Sequence, residues 1–185
     1  MTDEISPELK EASFKVGYFL YHFASLEEQI NLAIKKLFGL NDVSSKILCA
    51  NIDFFKKLNI VQTCIIAQFS DTNGRQIDKN RDEDFTTLFR DIKEINERQR
   101  LMVVHSPFEP SDDKSIVFRR VTAKDGILKQ SNPKNEWTEG RFEEIIKKLT
   151  STTTRLKEYV DSLQPYEPTL DFSDSRNSGF LYFFL

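Results

Sequence analysis

Residues 6–40, SPELKEASFKVGYFLYHFASLEEQINLAIKKLFGL, predict one long amphipathic helix. Ser6 is typical of a helix N-cap, and Pro7 fits the first helical position because its missing N–H is not needed there. Apolar side chains then recur at gaps of three and four, as a helix with one buried face requires: Leu9, Ala12, Val16, Phe19, Leu20, Phe23, Leu26, Ile30, Ile34 and Leu37. Gly39 is the expected end of the helix. Other elements must cover so long an apolar face, which favours a helical bundle.

The same periodicity predicts four more helices. They begin at Asn41-Asp42, after Asp53, near Asp82 and after Thr138. The segment 70–84 is polar and rich in turn-forming residues, so we expect a loop there. The fourth helix should end near His105, because Pro107 disfavours helical geometry at Ser106.

The helical pattern breaks after residue 110. Two stretches of β-forming residues, SIVFRRVTA and ILKQ, flank Lys124-Asp125-Gly126, and an Asp-Gly pair in that setting indicates a hairpin. The sequence therefore predicts an all-α fold, an antiparallel bundle of about five helices with a small β-hairpin insert near 115–130. We assign residues 1–164 to this helical domain and residues 165–185 to a C-terminal tail with an apolar end, GFLYFFL.

Composition narrows the classes of function. The chain has 16 phenylalanines, which predict an aromatic-rich core or interface. A net charge of −3 argues against a general nucleic-acid coat, although a local basic patch remains open. Four arginines could form such a patch: Arg98, Arg100, Arg119 and Arg120. Cys49 and Cys64 lack a CxxC spacing, so we expect free thiols in a reducing compartment.

Targeting and cofactor motifs are not evident in the sequence. The first residues, MTDEISPELK, are acidic and polar, unlike a signal peptide, and no run of 18 apolar residues exists. We therefore expect a cytoplasmic protein without a membrane span. Two histidines without a nearby cysteine pair make a metal site improbable, and the scattered glycines form no phosphate-binding loop. No cofactor is expected.

The stretch INERQRLMVVHSPFEP, residues 95–110, contains the strongest candidate site. On an uninterrupted α-helix, Arg98 and His105 are seven positions apart and point in nearly the same direction, whereas Arg100 points about 140° away from His105. Residues 101–104 are apolar on every side of the helix, so we expect them to be buried by this domain or by a partner.

This pair of side chains suits one kind of chemistry. A histidine gives or takes a proton near neutral pH, and an arginine holds a phosphate or stabilises developing negative charge. Arg98 and His105 together would suit metal-independent cleavage of RNA by attack of the 2′-hydroxyl on the adjacent phosphate. The alternative is an ordinary ion pair between Glu94 and Arg98, four positions apart, with His105 only ending the helix.

The segment ERQRLMVVHSPF, residues 97–108, resembles the signature of HEPN-domain proteins, an arginine followed after four to six residues by a histidine at a helix end. The family usually has a polar residue, most often Asn, after the arginine, whereas Gln99 follows Arg98 here. YFLYHFASLEEQINLAIKKLFGL, residues 18–40, is similar to the first helix of bacterial HEPN-like proteins. The resemblance covers residues 10–163.

The resemblance implies a homodimer in which two Arg–His motifs share one composite cleft. It implies an RNA substrate, and an RNase of a toxin–antitoxin, abortive-infection or other phage-defence system, with a nucleotidyltransferase-type antitoxin as partner. Arg98 and His105 would act on the phosphate and the proton, and Gln99 would support their orientation. Other members of the family have lost catalysis, so a non-catalytic dimeric module that binds a partner, nucleotide or RNA is the alternative.

Three further residues are weighed as supports for this site. His22 could face the cleft or pack among the aromatic side chains of the first helix, and Glu27 could orient Arg98 or pair with another cation. Arg100 is the second arginine of the motif.

The apolar tail end is too short to cross a bilayer. We expect it to pack into a groove of this or a partner subunit, with an antitoxin or a membrane surface as the alternative.

Overall fold

A computed structural model of the chain describes residues 5–69, 79–111, 113–119, 121–124, 127–130 and 136–163. The helices are α1 (Pro7–Leu37), α2 (Asp42–Ala50), α3 (Phe54–Phe69), α4 (Lys79–Glu94), a π-helical segment (Ile95–Arg100), α5 (Leu101–His105) and α6 (Glu139–Ser162). The strands are β1 (Phe108–Pro110), β2 (Ile116–Phe118), β3 (Val121–Lys124), β4 (Ile127–Gln130) and β5 (Glu136–Trp137). The predicted helical bundle with a small β insert is confirmed.

Helix α1 is the central element of the bundle. The Ser6 side chain accepts a hydrogen bond from the Leu9 N–H at 3.2 Å, and Gly39 adopts a φ of +59° just after the helix, as the sequence predicted. The predicted apolar stripe is buried against α6 and α3 along most of its length. Leu20, with 38% of its surface exposed, and the half-buried Leu9 are the exceptions.

The chain from Lys79 to His105 is one continuous helix in three parts: α4, the π-helical segment and α5. It ends where Ser106 takes an extended conformation before Pro107, which confirms the predicted end. The predicted start near Asp82 is wrong by three residues, and residues 79–84 are helical rather than part of a loop. Polar residues are common in the first turns of helices as well as in loops, so composition alone did not separate the two. Residues 70–78 lie outside the described part of the chain.

Strands β3 and β4 form the predicted hairpin. Lys124 faces Ile127 across the antiparallel pair, so Asp125 and Gly126, which lie outside the described residues, connect the strands. The predicted β stretch SIVFRRVTA is divided, because only β3 belongs to the hairpin, whereas β2 joins a second sheet in the order β1-β2-β5 that was not predicted. Its strands are two or three residues long, too short for an alternating pattern to be recognised.

An aromatic cluster attaches this second sheet to the bundle, as the phenylalanine content predicted. Trp137 of β5 is 1% exposed and lies between rings from α1, β2 and α6. Its ring centroid is 5.2 Å from that of Phe19, 4.8 Å from Phe118 and 6.0 Å from Phe142. Because β1 follows α5 directly, this cluster also fixes the end of the helix that carries His105.

Helix α2 is oriented with its aliphatic side chains outward. It buries Ser45 and Cys49, whereas Val43 is 67% exposed and Ile47 is 62% exposed. Among the described helices, none is both long and apolar enough to cross a membrane. The predicted tail, residues 165–185, lies outside the described part of the chain.

Candidate functional site

The π-helical segment changes the geometry on which Arg98 was selected. The Leu101 N–H donates to the Asn96 carbonyl, five residues earlier, instead of to the residue four earlier as in an α-helix. Each turn therefore holds more residues, and side chains after the segment are rotated relative to those before it. The assumption of an uninterrupted α-helix is wrong, so the near-coincidence of Arg98 and His105 no longer follows from their spacing.

Arg98 is an exposed, ion-paired residue. Its side chain is 72% exposed, and its Nη1 atom lies 2.9 Å from Oε1 of Glu94. Glu94 also accepts a hydrogen bond from the Lys148 Nζ atom of α6 at 2.8 Å. That bond, together with the charges of Lys148 and Arg98, lowers the pKa of Glu94 against the opposing effect of burial. The ion pair of the alternative reading is therefore present in the described chain.

His105 is exposed at the last position of α5. Within the described residues its side chain has no hydrogen bond or ion pair, and it does not contact Arg98 in either way. Met102 and Val103 are buried in the core, as expected, but Val104 is 50% exposed. No described element of this chain covers that side of α5, so the burial of Val104 by a partner stays a prediction.

Gln99 is used within its own helix. With its amide nitrogen facing the backbone, it donates to the carbonyls of Glu94 at 3.0 Å and Ile95 at 3.2 Å. Those carbonyls lie at the start of the π-helical segment. In the described chain the Gln99 amide thus bonds to the helix backbone, and it has no hydrogen bond with His105.

Three of the four arginines that could form a basic patch have a local partner in the described chain. The Arg100 guanidinium lies over the Phe23 ring of α1, 5.6 Å from its centroid, which is a cation–π distance. Arg119 Nη2 pairs with Glu109 Oε2 at 2.8 Å. Arg98 is also paired with a carboxylate, and Arg120 lies outside the described residues. The positive charge in this region is therefore partly compensated.

His22 and Glu27 have local roles. The His22 ring packs edge-on against Tyr18 at 4.5 Å and Tyr21 at 5.4 Å, which matches the packing interpretation. Glu27 Oε1 lies 2.9 Å from Nζ of Lys57, whose side chain is only 6% exposed. Glu27 therefore neutralises a buried cation of α3, and it makes no ion pair with Arg98 within the described residues.

Asn96 is the residue near the site that the sequence analysis missed. It is 1% exposed, and both its amide nitrogen and its amide oxygen lack a hydrogen-bond partner among the described residues. Ser106, directly after the C-terminal end of α5, is 7% exposed, and its hydroxyl also lacks a hydrogen-bond partner among the described residues. Helical spacing gave a signal for Asn96, because it follows Phe89 by seven positions and so falls on the buried stripe.

Other possible sites lie elsewhere in the molecule. A cavity of about 280 Å³ opens between α1 and α2, and its lining, which includes Asn31, Lys46 and Cys49, contains no residue of the 95–105 stretch. Among the described residues, no group of three or more His, Cys, Asp and Glu side chains is placed to hold a metal ion. Cys49 and Cys64 are free thiols, as predicted, and burial raises the pKa of Cys64.

Comparisons of the chain with protein-family models, curated proteins and solved structures found no match. The resemblance to HEPN-domain proteins therefore stays a prediction from the sequence, as does the function that it implies.

Proposed function

We propose that this chain is a cytoplasmic, bacterial HEPN-like endoribonuclease that acts as a metal-independent homodimer in a toxin–antitoxin or phage-defence system. The observation that carries the proposal is the exposure of both motif side chains, Arg98 and His105, near the end of a helix whose opposite face forms the core. Side chains that touch an RNA phosphate must be accessible in this way. A π-helical segment beside them adds support, because such segments occur frequently at functional sites.

The proposed reaction is a transesterification within the RNA. The 2′-hydroxyl oxygen bonds to the adjacent phosphorus, the bond from phosphorus to the 5′-oxygen breaks, and a cyclic phosphate forms. The proton leaves the 2′-hydroxyl, and another is added to the departing 5′-oxygen. His105 transfers one of these protons, and in a composite site the second copy of His105 transfers the other. Arg98 stabilises the charge on the phosphate oxygens.

Arg98 must exchange a carboxylate for a phosphate in this scheme. The ion pair between Arg98 and Glu94 is exposed at the arginine, and pairs of this kind contribute only about 0–1 kcal/mol. Glu94 keeps its second cation, Lys148, when Arg98 leaves it. A phosphate held by two parallel hydrogen bonds can therefore displace Glu94 from Arg98 at small cost.

Dimer formation is supported by the apolar surface next to His105. Val104 is 50% exposed directly before the histidine, and a second copy that covers it would bring two motifs together. Burial in such a seam would also exclude water from the charges of the site and strengthen their interactions.

The experiment that tests the proposal is cleavage of a broad RNA panel by purified protein in EDTA. Wild-type protein should cleave, Arg98→Ala and His105→Ala should each lower the rate by at least about 100-fold, and Lys56→Ala should cleave like wild type. Lys56 is the matched control because it is an exposed cation on α3, paired only with Asp53 among the described residues. An intact RNA panel, or equal cleavage by His105→Ala, would contradict the enzymatic proposal.

The second candidate is a non-catalytic dimeric module of the same family that binds a partner, nucleotide or RNA. Two observations favour it: Arg98 is occupied by Glu94, and the Gln99 amide bonds to its own helix. Expression in bacteria without a nucleotidyltransferase-type antitoxin separates the two candidates. A ribonuclease toxin should arrest growth and His105→Ala should restore it, whereas a binding module should be tolerated in both forms.

A further inference from the structure

Helix α2 carries an exposed apolar face. Val43, Ile47 and Leu48 lie on neighbouring positions of this short helix and are 67%, 62% and 39% exposed. Phe38, in the turn before α2, is 41% exposed and extends the same apolar surface. We call these four residues the α2 face. The helix buries Ser45 and Cys49 in their place, so α2 presents its more hydrophobic side to the outside.

The C-terminal tail begins next to this face. Lys36 Nζ, in the last turn of α1, donates to the Val160 carbonyl of α6 at 3.0 Å. The adjacent Lys35 Nζ lies 2.6 Å from Oδ1 of Asp42, the first residue of α2. Neighbouring lysines of α1 thus hold the last turn of α6 and the first turn of α2. The chain leaves the described structure after Leu163, at the same end of the bundle as α2.

The tail is long enough to reach the α2 face from the end of α6. Residues 164–179 precede the apolar segment FLYFFL at 180–185. Sixteen residues can span at most about 53–58 Å. Helix α2 is itself only about 14 Å long, so all of its apolar residues lie within this reach of the tail's starting point. A tether of this length holds its end at an effective concentration on the order of millimolar, which makes even weak apolar docking effective.

The charges are complementary as well. Residues 164–179 contain three carboxylates and one arginine. On the described side, Lys46 of α2 is exposed and forms no ion pair with another described residue, and Lys36 is 42% exposed at the junction, where its Nζ also lies 3.9 Å from Oδ1 of Asp161. An acidic connection passing over these lysines would favour the path from α6 toward α2.

From this geometry we propose that the segment Phe180–Leu185 docks in cis on the α2 face. The alternative apolar surface of the described chain, formed by Phe14, Tyr18 and Tyr21 of α1, lies farther from the tail's starting point. Tyr21 is fifteen positions before Lys36, or about 22 Å along the helix axis, which sixteen residues can also span, so the α1 surface is the competitor that the control variant below tests. The proposal does not depend on the ribonuclease activity, because neither surface includes Arg98 or His105.

Amide hydrogen exchange on the full chain tests this proposal. One variant places charges in the tail (Phe183→Asp with Phe184→Asp), one removes the α2 face (Val43→Ser with Ile47→Ser), and the matched control removes the α1 surface (Phe14→Ser with Tyr21→Ser). We expect α2 amides to exchange at least about threefold faster in the tail variant than in wild type. Tail amides should likewise exchange faster in the α2 variant, and the control should match wild type.

Two outcomes would overturn the proposal. The first is equal exchange of α2 amides in wild type and the tail variant, or release of the tail by the α1 control instead of the α2 variant. The second is a dependence on concentration, because docking within one chain is unaffected by dilution. If about tenfold dilution removes the protection of α2, the occupant is a second copy. Unchanged thermal unfolding of the exposed-site variants establishes that each is folded.

Discussion

The two halves of the helix from Lys79 to His105 differ in how their polar groups are satisfied. In α4, the buried stripe faces the core, and Asp91 pairs with Lys148 at 3.2 Å and with Arg155 at 3.5 Å on α6. Beyond Glu94 the helix widens into a π-helical segment that buries Asn96 without a hydrogen-bond partner among the described residues, and α5 then ends at the exposed His105. The ion pairs of the first half stabilise the isolated chain, whereas Asn96 and His105 in the second half form no hydrogen bond or ion pair with another described side chain.

This contrast supports a functional interpretation of the second half. Buried polar groups without partners are rare in folded proteins because each costs free energy. Such groups recur where a site must accept a ligand or partner. The first three predictions test the two halves separately, from the largest expected effect to the smallest.

Phe89→Ala should produce the largest loss of stability. Phe89 is 1% exposed, and its ring centroid lies 4.5 Å from that of Phe85. Removing the ring leaves a cavity in the core and should lower the free energy of unfolding by about 3–5 kcal/mol in urea denaturation. Phe14→Ala is the control, since Phe14 is 69% exposed, and it should change stability by less than about 0.5 kcal/mol. Similar losses in both variants would contradict the assigned core.

Asn96→Leu should stabilise the protein in the same measurement. An unpartnered buried amide costs about 1–3 kcal/mol, and an apolar side chain of similar size removes that cost. Ser115→Ala is the matched contrast, because Ser115 is 1% exposed and its hydroxyl donates to Glu136. It should lower stability by about 1–3 kcal/mol. A loss of stability in Asn96→Leu would mean that the amide has a partner in solution.

Glu94→Gln should have the smallest effect, and one that depends on pH. The pKa of Glu94 is lowered in the folded protein, chiefly by the hydrogen bond from Lys148. A lowered carboxylate pKa stabilises the folded state above the unfolded value, about pH 4.3 for glutamate, and this stabilisation is lost as the pH falls through the folded value. The free energy of unfolding of wild type should therefore exceed that of the variant at pH 7 by less than about 1 kcal/mol. A gap that widens as the pH drops below 4 would contradict this assignment.

Much of the fold could be predicted from local sequence signals. The caps of α1, its buried stripe, the hairpin turn and the stop at Pro107 each depend on a few neighbouring residues. The strands β1 and β5 and the pairing of β2 could not be predicted, because two or three residues give no pattern and pairing depends on the distant Trp137 cluster. The orientation of α2 could not be predicted either, because tertiary packing determines which side of a short helix faces the core.

The site was predictable in part. Its residue types and the end of its helix were read from the sequence, and so was the competing ion pair of Arg98 with Glu94. The π-helical segment was not predicted, because apolar spacing does not distinguish four from five residues in a single turn. The local role of Gln99 follows from that segment, so it was missed for the same reason.

The chemistry at His105 can be tested most directly from the ends of the RNA fragments. Wild-type protein in EDTA should leave a 2′,3′-cyclic phosphate on one fragment and a 5′-hydroxyl on the other, and it should not cleave RNA whose 2′-hydroxyls are methylated. His105→Ala should give neither product. Fragments with a 5′-phosphate and a 3′-hydroxyl, or cleavage of the methylated RNA, would contradict attack by the 2′-hydroxyl and with it the proposed roles of Arg98 and His105.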